Sequence, residues 1–355
     1  MKFIHCADIH LDSPLQTHLS PEKARQRNRE LLQTFCRLAA RAKEQDVTAV
    51  LIAGDLFDSA FVSPSTLSIV VSAIRNADPV TFLCLPGNHD RDHAFPAGVS
   101  IPNNLKLVGP VWSYFDFGPV TVAAIAPGEG TDPYRDLTLD PQRINIVMLH
   151  GQIAAREGPD LISLPKLKNR HIRYLALGHL HSYQTQPLDM EGILCYSGCL
   201  EGRGFDETGK KGFAEISIEG GILESRFVPF AARKLHKVSL DITDFMGADQ
   251  ILQAAESALA RIPERDLVKL TLQGSYTLKT QKDPAFLEQI LAHRFFSLTV
   301  TDESRLLLPE DTYAHDISLE GEFIRQVMAS GLPREEKERI LHFGLTALSG
   351  KGAVL

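Results

Sequence analysis

Residues 80–90 are VTFLCLPGNHD, an apolar run that leads into Gly87, Asn88, His89 and Asp90. The run is short and bounded by Pro and Gly, as is typical of a buried strand. Behind it stand an amide, an imidazole and a carboxylate in consecutive positions, and these groups bind divalent cations. The stretch predicts a strand that delivers metal-ligand side chains to one end of a sheet.

The same pattern occurs four more times in the first half of the chain. Apolar runs at residues 2–7, 49–53, 145–149 and 174–177 lead into the candidate ligands Asp8 and His10, Asp55, His150, and His179 and His181. Functional groups of layered α/β proteins collect at the carboxyl ends of strands, so one shared rim is expected. The one-residue gap in two of these pairs would point both side chains the same way in an extended segment. Glycines beside the ligands are expected to permit tight turns.

The elements between these runs predict the fold class. Helices are expected from Ser20-Pro21 to about Gln45 and over residues 64–76, each opened by a Ser cap and a Pro in the first turn. Near-continuous apolar strands alternating with helices indicate an α/β fold. We predict a layered β-sandwich core flanked by helices. The shorter strands around residues 120–126, 194–196, 212–218 and 225–229 look more antiparallel.

The length of 355 residues favours more than one domain. The pattern changes near residues 230–234, where a βαβαβ order of about one hundred residues begins. We predict a catalytic domain at residues 1–230, a smaller α/β capping domain at 231–315 and C-terminal helices at 316–355. The last helix has an apolar stripe that ends near Leu345, and it either packs within the chain or docks a partner.

The composition excludes some functions. A net charge of −7 argues against a protein that coats nucleic acid indiscriminately, since such binding depends on Lys and Arg. It does not exclude a nuclease whose metals carry the positive charge. Five scattered cysteines predict reduced thiols. No run reaches the roughly 18 apolar residues of a membrane span, and the start lacks the features of a signal peptide, so we expect a cytoplasmic protein without membrane association.

The ligand types indicate the metal. A site of carboxylate, imidazole and amide groups without thiolate suits manganese, iron or zinc better than a soft cysteine site would. Seven candidate ligands exceed the three of a single catalytic zinc. Enzymes that displace a leaving group at phosphorus commonly hold two metal ions about 4 Å apart. The residues therefore predict a two-metal site.

The motifs DxH, GDxxD, GNHD, HG and GHxH occur in that order, and they resemble those of the calcineurin-like metallophosphoesterase superfamily over about residues 1–229. The stretches FIHCADIHLDSPL, GDLFDSAFVSP and LPGNHD resemble SbcD and the YhaO-like DNA repair exonucleases. YSGCLEGRGFDETGKKGF, at residues 196–213, is also similar to the YhaO-like branch. The resemblance implies a metal-dependent DNA exonuclease or phosphodiesterase involved in DNA repair.

The resemblance also implies roles for the site residues. One ion binds to Asp8, His10, Asp55 and His181, and the other binds to Asp55, Asn88, His150 and His179. A hydroxide held between the ions attacks phosphorus, His89 protonates the leaving group and Asp90 orients His89. Mn²⁺ is the expected ion, with Fe²⁺, Zn²⁺ and Mg²⁺ as alternatives.

Other residues are weaker candidates. Arg203, Lys210 and Lys211 lie in a Gly-rich segment and could meet substrate phosphates, or they form a solvated hairpin tip. Asp12 and Asp58 either hold ligands in place or only make turn hydrogen bonds. His5 is expected to be a packing residue. The resemblance further implies DNA as a partner, an SMC-like ATPase partner and a homodimer.

Two other functions fit the same residues. The first is a phosphomonoesterase or a small-nucleotide phosphodiesterase, since metals recognise phosphate and not the group attached to it. The second is a non-catalytic interaction scaffold that keeps the fold. Missing ligands would mark a scaffold, and all seven ligand positions are intact here.

Overall fold

The computed structural model describes residues 1–355 except 16–18, 59–61, 90–94, 96–97, 127–131, 157, 159, 278–279, 308–312, 314 and 349–355. The chain divides into two compact units, Met1–Lys234 and Leu235–Leu355. This division falls where the sequence pattern changes.

The described part of the first unit contains two six-stranded sheets. In spatial order, the first sheet contains β14 (Ile222–Pro229), β13 (Gly212–Glu219), β1 (Lys2–Cys6), β2 (Ala49–Ala53), β3 (Thr81–Leu85) and β4 (Leu105–Leu107). The second contains β11 (Gln184–Pro187), β12 (Ile193–Tyr196), β10 (Ile172–Gly178), β7 (Ile144–His150), β6 (Val120–Ala124) and β5 (Ser113–Phe117). Two short strands, β8 (Gln152–Ile153) and β9 (Leu161–Ile162), pair separately.

The two sheets face each other across a buried apolar layer. Alternate residues of the strands meet there, including Phe3 and Leu51 from the first sheet and Val122, Met148 and Tyr174 from the second. Strands β1, β2 and β3 run parallel, as do β6, β7, β10 and β12. The layered α/β fold class is confirmed. The antiparallel expectation was wrong in part for β6 and β12, because each is antiparallel to one neighbour and parallel to the other.

Helices cover the outer face of the first sheet. The helices α1 (Pro21–Glu44) and α2 (Pro64–Asn76) begin at the predicted caps, where the hydroxyls of Ser20 and Ser63 accept backbone N–H groups of the first turn. Phe35 of α1 packs in one buried cluster with Ile52 and Phe82. In the described residues, the outer face of the second sheet packs instead against loop residues and a 3-10 turn at Leu164–Lys166.

A buried ionic cluster ties α1 to the loop after β12. Arg27, only 1% exposed, donates to Glu30 at 2.6 Å, to Glu201 at 3.2 Å and to the Gly202 carbonyl at 2.9 Å. Breaking a buried ion pair leaves a desolvated charge without compensation. We expect Arg27→Met to lower the free energy of unfolding by about 3 kcal/mol, measured by urea denaturation of the metal-free protein.

The control for this prediction is Arg226→Met. Arg226 makes the same kind of contact, with Glu215, but its side chain is 70% exposed. The guanidinium of Arg226 is mostly in water, and Glu215 keeps Arg41 at 4.0 Å, so the loss in this variant should stay below about 1 kcal/mol. Equal losses in the two variants would contradict the role assigned to the buried cluster.

The second unit has the predicted βαβαβ order. Its elements are β15 (Leu235–Asp241), α3 (Ala248–Leu259), β16 (Leu267–Gln273), β17 (Ser275–Tyr276), α4 (Pro284–Leu291), a 3-10 turn (Ala292–Arg294), β18 (Ser297–Asp302), β19 (Arg305–Leu306), α5 (Leu319–Ala329) and α6 (Arg334–Leu348). Strands β15, β16 and β18 form a parallel sheet. Val268 and Leu270 pack with Ala255 and Leu259 of α3 and Leu291 of α4.

The apolar stripe of α6 lies inside the second unit. Leu341 and Leu345 are buried with Ile324 and Val327 of α5 and with Leu306. These side chains are therefore not the free docking face considered for an ATPase partner, because they are already covered by the same chain. Among the described residues, no helix is long and apolar enough to cross a membrane.

Candidate metal centre

All seven predicted ligands lie at the carboxyl ends of five strands. Asp8 and His10 follow β1, Asp55 follows β2, Asn88 follows β3, His150 ends β7, and His179 and His181 follow β10. The parallel directions of these strands within each sheet bring the loops to one edge of the sandwich. Asp8, His10, Asp55 and His150 are buried.

The backbone that presents the ligands is left-handed and not extended. Asp8, His10, Asp55 and His179 have φ values of 50°, 49°, 51° and 100°. Non-glycine residues avoid this region, and such conformations collect at functional sites. The extended-segment explanation for the Asp8–His10 pair was therefore wrong, although both side chains do enter the same site.

Three glycines make room for the ligands. A Cβ on Gly54 would lie 2.1 Å from Nδ1 of His150, and one on Gly87 would lie 2.0 Å from Oδ1 of Asp55. A Cβ on Gly178 would lie 2.0 Å from the carbonyl of Ala53. Of these three, only Gly54 has a positive φ. At Gly87 and Gly178, glycine is needed because neighbouring atoms leave no room for a Cβ, and not because of the tight turns that the sequence suggested.

The first group of ligands contains Asp8, His10 and His181, whose ligand atoms lie within 4.8 Å of one another. The Nε2 atoms of His10 and His181 are 3.3 Å apart. The Nδ1 atom of His10 lies 2.8 Å from Oδ1 of Asp58, and Nδ1 of His181 lies 2.7 Å from Oε1 of Glu207. If each Nδ1–H donates to its carboxylate, both Nε2 lone pairs face each other. A shared cation would relieve that repulsion.

The second group contains Asp55, Asn88, His150 and His179. Nδ1 of His150 lies 2.9 Å from the Ala53 carbonyl and donates to it, so its Nε2 has a lone pair. That Nε2 lies 2.9 Å from Oδ1 of Asn88 and 3.4 Å from Oδ2 of Asp55. Nδ1 of His179 lies 3.3 Å from the same Asn88 oxygen. A convergence of acceptors fits a divalent cation.

Asp55 stands between the two groups. Its Oδ2 lies 3.7 Å from Nε2 of His10 and 3.4 Å from Nε2 of His150. Its Oδ1 accepts the backbone N–H of His89 at 2.9 Å. Asp8, Asp55 and His150 also have ligand atoms within 4.8 Å of one another. The residues present therefore fit two neighbouring cations with one carboxylate between them.

Burial shifts the pKa of three of the ligands, Asp8, His10 and His150. Desolvation raises the pKa of Asp8 to about 7, against the opposing effect of His181. Desolvation lowers the pKa of His10 and of His150, so both imidazoles are neutral near pH 7 and can bind a metal. Although burial raises it, hydrogen bonds from His10 and Ser13 bring the pKa of Asp58 down to about 2.

His89 lies at the exposed side of the centre. Its side chain is 46% exposed, and its Nδ1 is 3.0 Å from Oδ1 of Asp58. If Nδ1 donates to Asp58, Nε2 is the nitrogen left to exchange a proton with a substrate. Asp58 is thus the carboxylate seen beside this imidazole. Asp90, which was predicted for that task, lies outside the described residues.

The other candidates take different places. Lys211 was considered for phosphate contact, but it is 4% exposed and donates to the His181 carbonyl at 2.5 Å, so the structure places it inside the framework. Lys210 is exposed. Asp12 accepts from Ser63 and Thr66 at the start of α2, which is a turn and capping contact. His5 is fully buried against Tyr174, in agreement with packing.

Arg203 and Glu207 form a second layer around the first group. Arg203, considered for phosphate contact or for a solvated hairpin tip, has a side chain only 16% exposed. It contacts Glu207 at 2.9 Å and Asp58 at 3.4 Å. A guanidinium occupied by two buried carboxylates is not free for a phosphate. Glu207 was not among the residues predicted from the sequence. The sequence feature that could have indicated Glu207 is its position four residues after Arg203 in the Gly-rich segment.

Comparison with known proteins gives the class. Residues 1–183 match the family of calcineurin-like phosphoesterases, which is more than half of the chain. The chain belongs to this family, and it is a metal-dependent phosphoesterase. The resemblance noted in the sequence is confirmed at this level.

Individual relatives are more distant. The chain is 27% identical over 300 residues to the uncharacterised metallophosphoesterase YhaO of Bacillus subtilis, which covers 78% of this chain and 72% of that protein. A dimetal phosphatase from Danio rerio is 11% identical, with a TM-score of 0.43 over 64% of this chain and 96% of the other. A purple acid phosphatase from yellow lupin, Lupinus luteus, is 13% identical, with a TM-score of 0.43 over 64% and 51%.

Proposed function

We propose that this chain is a two-metal phosphodiesterase that removes nucleotides from DNA, as an exonuclease that acts in DNA repair. The observation that carries the proposal is the convergence of seven ligand groups around Asp55, whose Oδ2 lies within 3.7 Å of histidines from both groups. A phosphodiester brings one negative charge, shared by two non-bridging oxygens, to this edge. Divalent cations, when bound, neutralise charge on those oxygens and supply an activated water.

The protein groups would each make a defined contribution. Asp8, His10, Asp55 and His181 would hold one cation, and Asp55, Asn88, His150 and His179 would hold the other. His89 would donate a proton from Nε2 to the departing oxygen, while Asp58 holds Nδ1 at 3.0 Å. The buried left-handed loops fix the ligands before substrate binds, which lowers the cost of reorganisation.

The proposed metal is Mn²⁺. The donor set combines imidazole nitrogens with carboxylate and amide oxygens and has no thiolate among its members. Cys199 lies near the centre, but its buried thiol has a pKa raised well above its usual value, mainly by desolvation. A neutral thiol is a poor ligand. Fe²⁺, Zn²⁺ and Mg²⁺ remain the alternatives.

The choice of DNA has separate support. The stretches around Asp8, Asp55 and Asn88 are similar to those of SbcD and YhaO-like exonucleases over several consecutive residues beyond the ligands themselves. Among the described residues, Asn88 and His89 are exposed, so a long polymer can reach these two side chains. A homodimer and an SMC-like ATPase partner remain predictions of the same resemblance.

The assay that tests the proposal offers the protein three substrates in Mn²⁺. We expect linear DNA labelled at either end to be shortened, because the centre is open at His89. We expect a phosphomonoester to be hydrolysed at least about 100-fold more slowly than DNA, since binding contacts with the polymer are lost. Chelation should abolish both reactions, and added Mn²⁺ should restore them.

A small-nucleotide phosphodiester serves as the third substrate. DNA left intact while the monoester or the small nucleotide reacts rapidly would replace the nuclease proposal with one of its rivals. No hydrolysis of any ester by a folded protein with bound metal would support the scaffold alternative.

A further inference from the structure

Each histidine of the first ligand group is held by a carboxylate. Asp58, the last residue of the GDxxD motif, holds His10, and Glu207, which lies outside the motifs, holds His181. Oε1 of Glu207 lies 2.7 Å from Nδ1 of His181, and Oδ1 of Asp58 lies 2.8 Å from Nδ1 of His10. Both carboxylates are largely buried, with side-chain exposures of 5% and 11%. In the neutral ring, a carboxylate on Nδ1 holds the proton there, which leaves the lone pair on Nε2 and fixes the plane of the ring.

Arg203 connects the two carboxylates. Its Nη2 donates to Oε1 of Glu207 at 2.9 Å, and its Nη1 lies 3.4 Å from Oδ2 of Asp58. Its Nη1 also donates to the hydroxyl of Ser13 at 3.3 Å, and its backbone N–H donates to Oε2 of Glu207 at 2.7 Å. The planar guanidinium can hold two carboxylates at a fixed separation, which a lysine cannot do.

The chain of contacts continues to the candidate proton donor. Oδ1 of Asp58 lies 2.8 Å from His10 and 3.0 Å from Nδ1 of His89. One network therefore runs from His181 through Glu207, Arg203 and Asp58 to His10 and His89. The second ligand group is held differently, because Nδ1 of His150 contacts the Ala53 carbonyl.

We propose that Glu207 and Arg203 are positioning residues that set the geometry of one metal site, formed by Asp8, His10, Asp55 and His181. Glu207 keeps Nε2 of His181 free to bind the ion. Arg203 fixes the positions of the Glu207 and Asp58 carboxylates relative to each other. The inference rests on the proposed two-metal function, but it concerns binding of the ion and not the choice of substrate.

The network predicts a difference between the two sites. Loss of a carboxylate behind a metal-bound histidine typically costs 10- to 100-fold in affinity, on the order expected for Glu207→Gln. The glutamine amide can also donate to Nδ1, which would favour the tautomer with the proton on Nε2. Within the described part of the chain, Glu207 and Arg203 make no hydrogen bond with His150 or His179, so the affinity of that site should stay within about twofold of the wild type.

The experiment measures Mn²⁺ binding to the full-length, metal-free protein by calorimetry and by electron paramagnetic resonance. Wild type should bind two ions with the spectrum of a coupled pair. Glu207→Gln should bind one ion normally and the other about 10- to 100-fold more weakly, with the spectrum of a single Mn²⁺ at intermediate concentrations. Arg203→Met should weaken the same site by about tenfold, and Arg203→Lys should restore only part of the loss.

Glu215→Gln is the matched control. Glu215 is also a buried glutamate paired with an arginine, but it lies on β13 and contacts Arg226. This variant should bind both ions as the wild type does. If Glu207→Gln does not fold, Mn²⁺ binding to the two Arg203 variants tests the same inference.

Two results would overturn the inference: unchanged binding of both ions in the Glu207 and Arg203 variants, or equal weakening of both sites. Both results come from Mn²⁺ binding alone and need no measurement of DNA cleavage. A wild-type protein that binds two ions but does not cleave DNA would refute the proposed substrate and leave the inference standing. Conversely, an active nuclease with unaffected variants would refute the inference alone.

Discussion

Asp55→Asn is expected to lower phosphodiester hydrolysis by about 1000-fold or more while the protein stays folded. Asn can still accept the His89 backbone N–H through Oδ1, a contact of 2.9 Å in the wild type. It places an NH₂ group where Oδ2 lies between His10 and His150, at 3.7 and 3.4 Å. That group repels a cation and removes the one charge that both ligand groups share.

Metal content distinguishes this explanation from a loss of structure. Wild type should retain two Mn²⁺ per chain after gel filtration, and Asp55→Asn should retain fewer, by mass spectrometry of the eluted metal. Asp116→Asn makes the same chemical change at an exposed position on β5 and should alter neither metal content nor rate. Full activity in Asp55→Asn would refute the assignment of the bridge.

The sequence predicted the elements that depend on local signals. A Ser followed by Pro sets the start of α1 and of α2, and short apolar runs mark the strands that carry the ligands. These signals act within a few residues, so they can be recognised without knowledge of the rest of the chain. The shared rim followed because parallel strands place their carboxyl ends together.

The conformation of the ligand loops could not be predicted in the same way. Asp and His tolerate a left-handed backbone better than most residues, but they do not require it. The positive φ of Asp8 and His10 is maintained by contacts from elsewhere, such as the hydrogen bonds of their N–H groups to the carbonyls of Gly54 and Asp55. Tertiary contacts of this kind have no local motif.

For the same reason Glu207 was missed, and Arg203 and Lys211 were considered for phosphate contact and not for support of the ligands. Glu207, Arg203 and Lys211 are charged residues in a Gly-rich segment, which usually indicates an exposed loop. Burial of all three depends on the pairing of Arg203 with Asp58 and of Lys211 with the His181 carbonyl. Charged residues become buried when partners are available, and a single sequence does not reveal partners so far apart in the chain.

His89→Gln tests the step that the metals do not supply. An alkoxide is a poor leaving group and needs a proton, whereas p-nitrophenolate leaves readily without one. We expect His89→Gln to slow DNA cleavage by about 100-fold or more, but to slow hydrolysis of a p-nitrophenyl phosphodiester by less than about tenfold. The measurement compares kcat for the two substrates at saturating Mn²⁺.

The decisive quantity is the ratio of the loss in kcat on DNA to the loss in kcat on the p-nitrophenyl phosphodiester. His89 also packs its ring against His10, with centroids 4.9 Å apart, so its removal could disturb the first metal site. A disturbed site would slow both substrates equally, whereas a lost proton donor slows only the one that needs it. His293→Gln, at an exposed position of the second unit, should leave both rates unchanged. Equal losses on the two substrates in His89→Gln would reassign this imidazole from proton donor to a residue that supports His10.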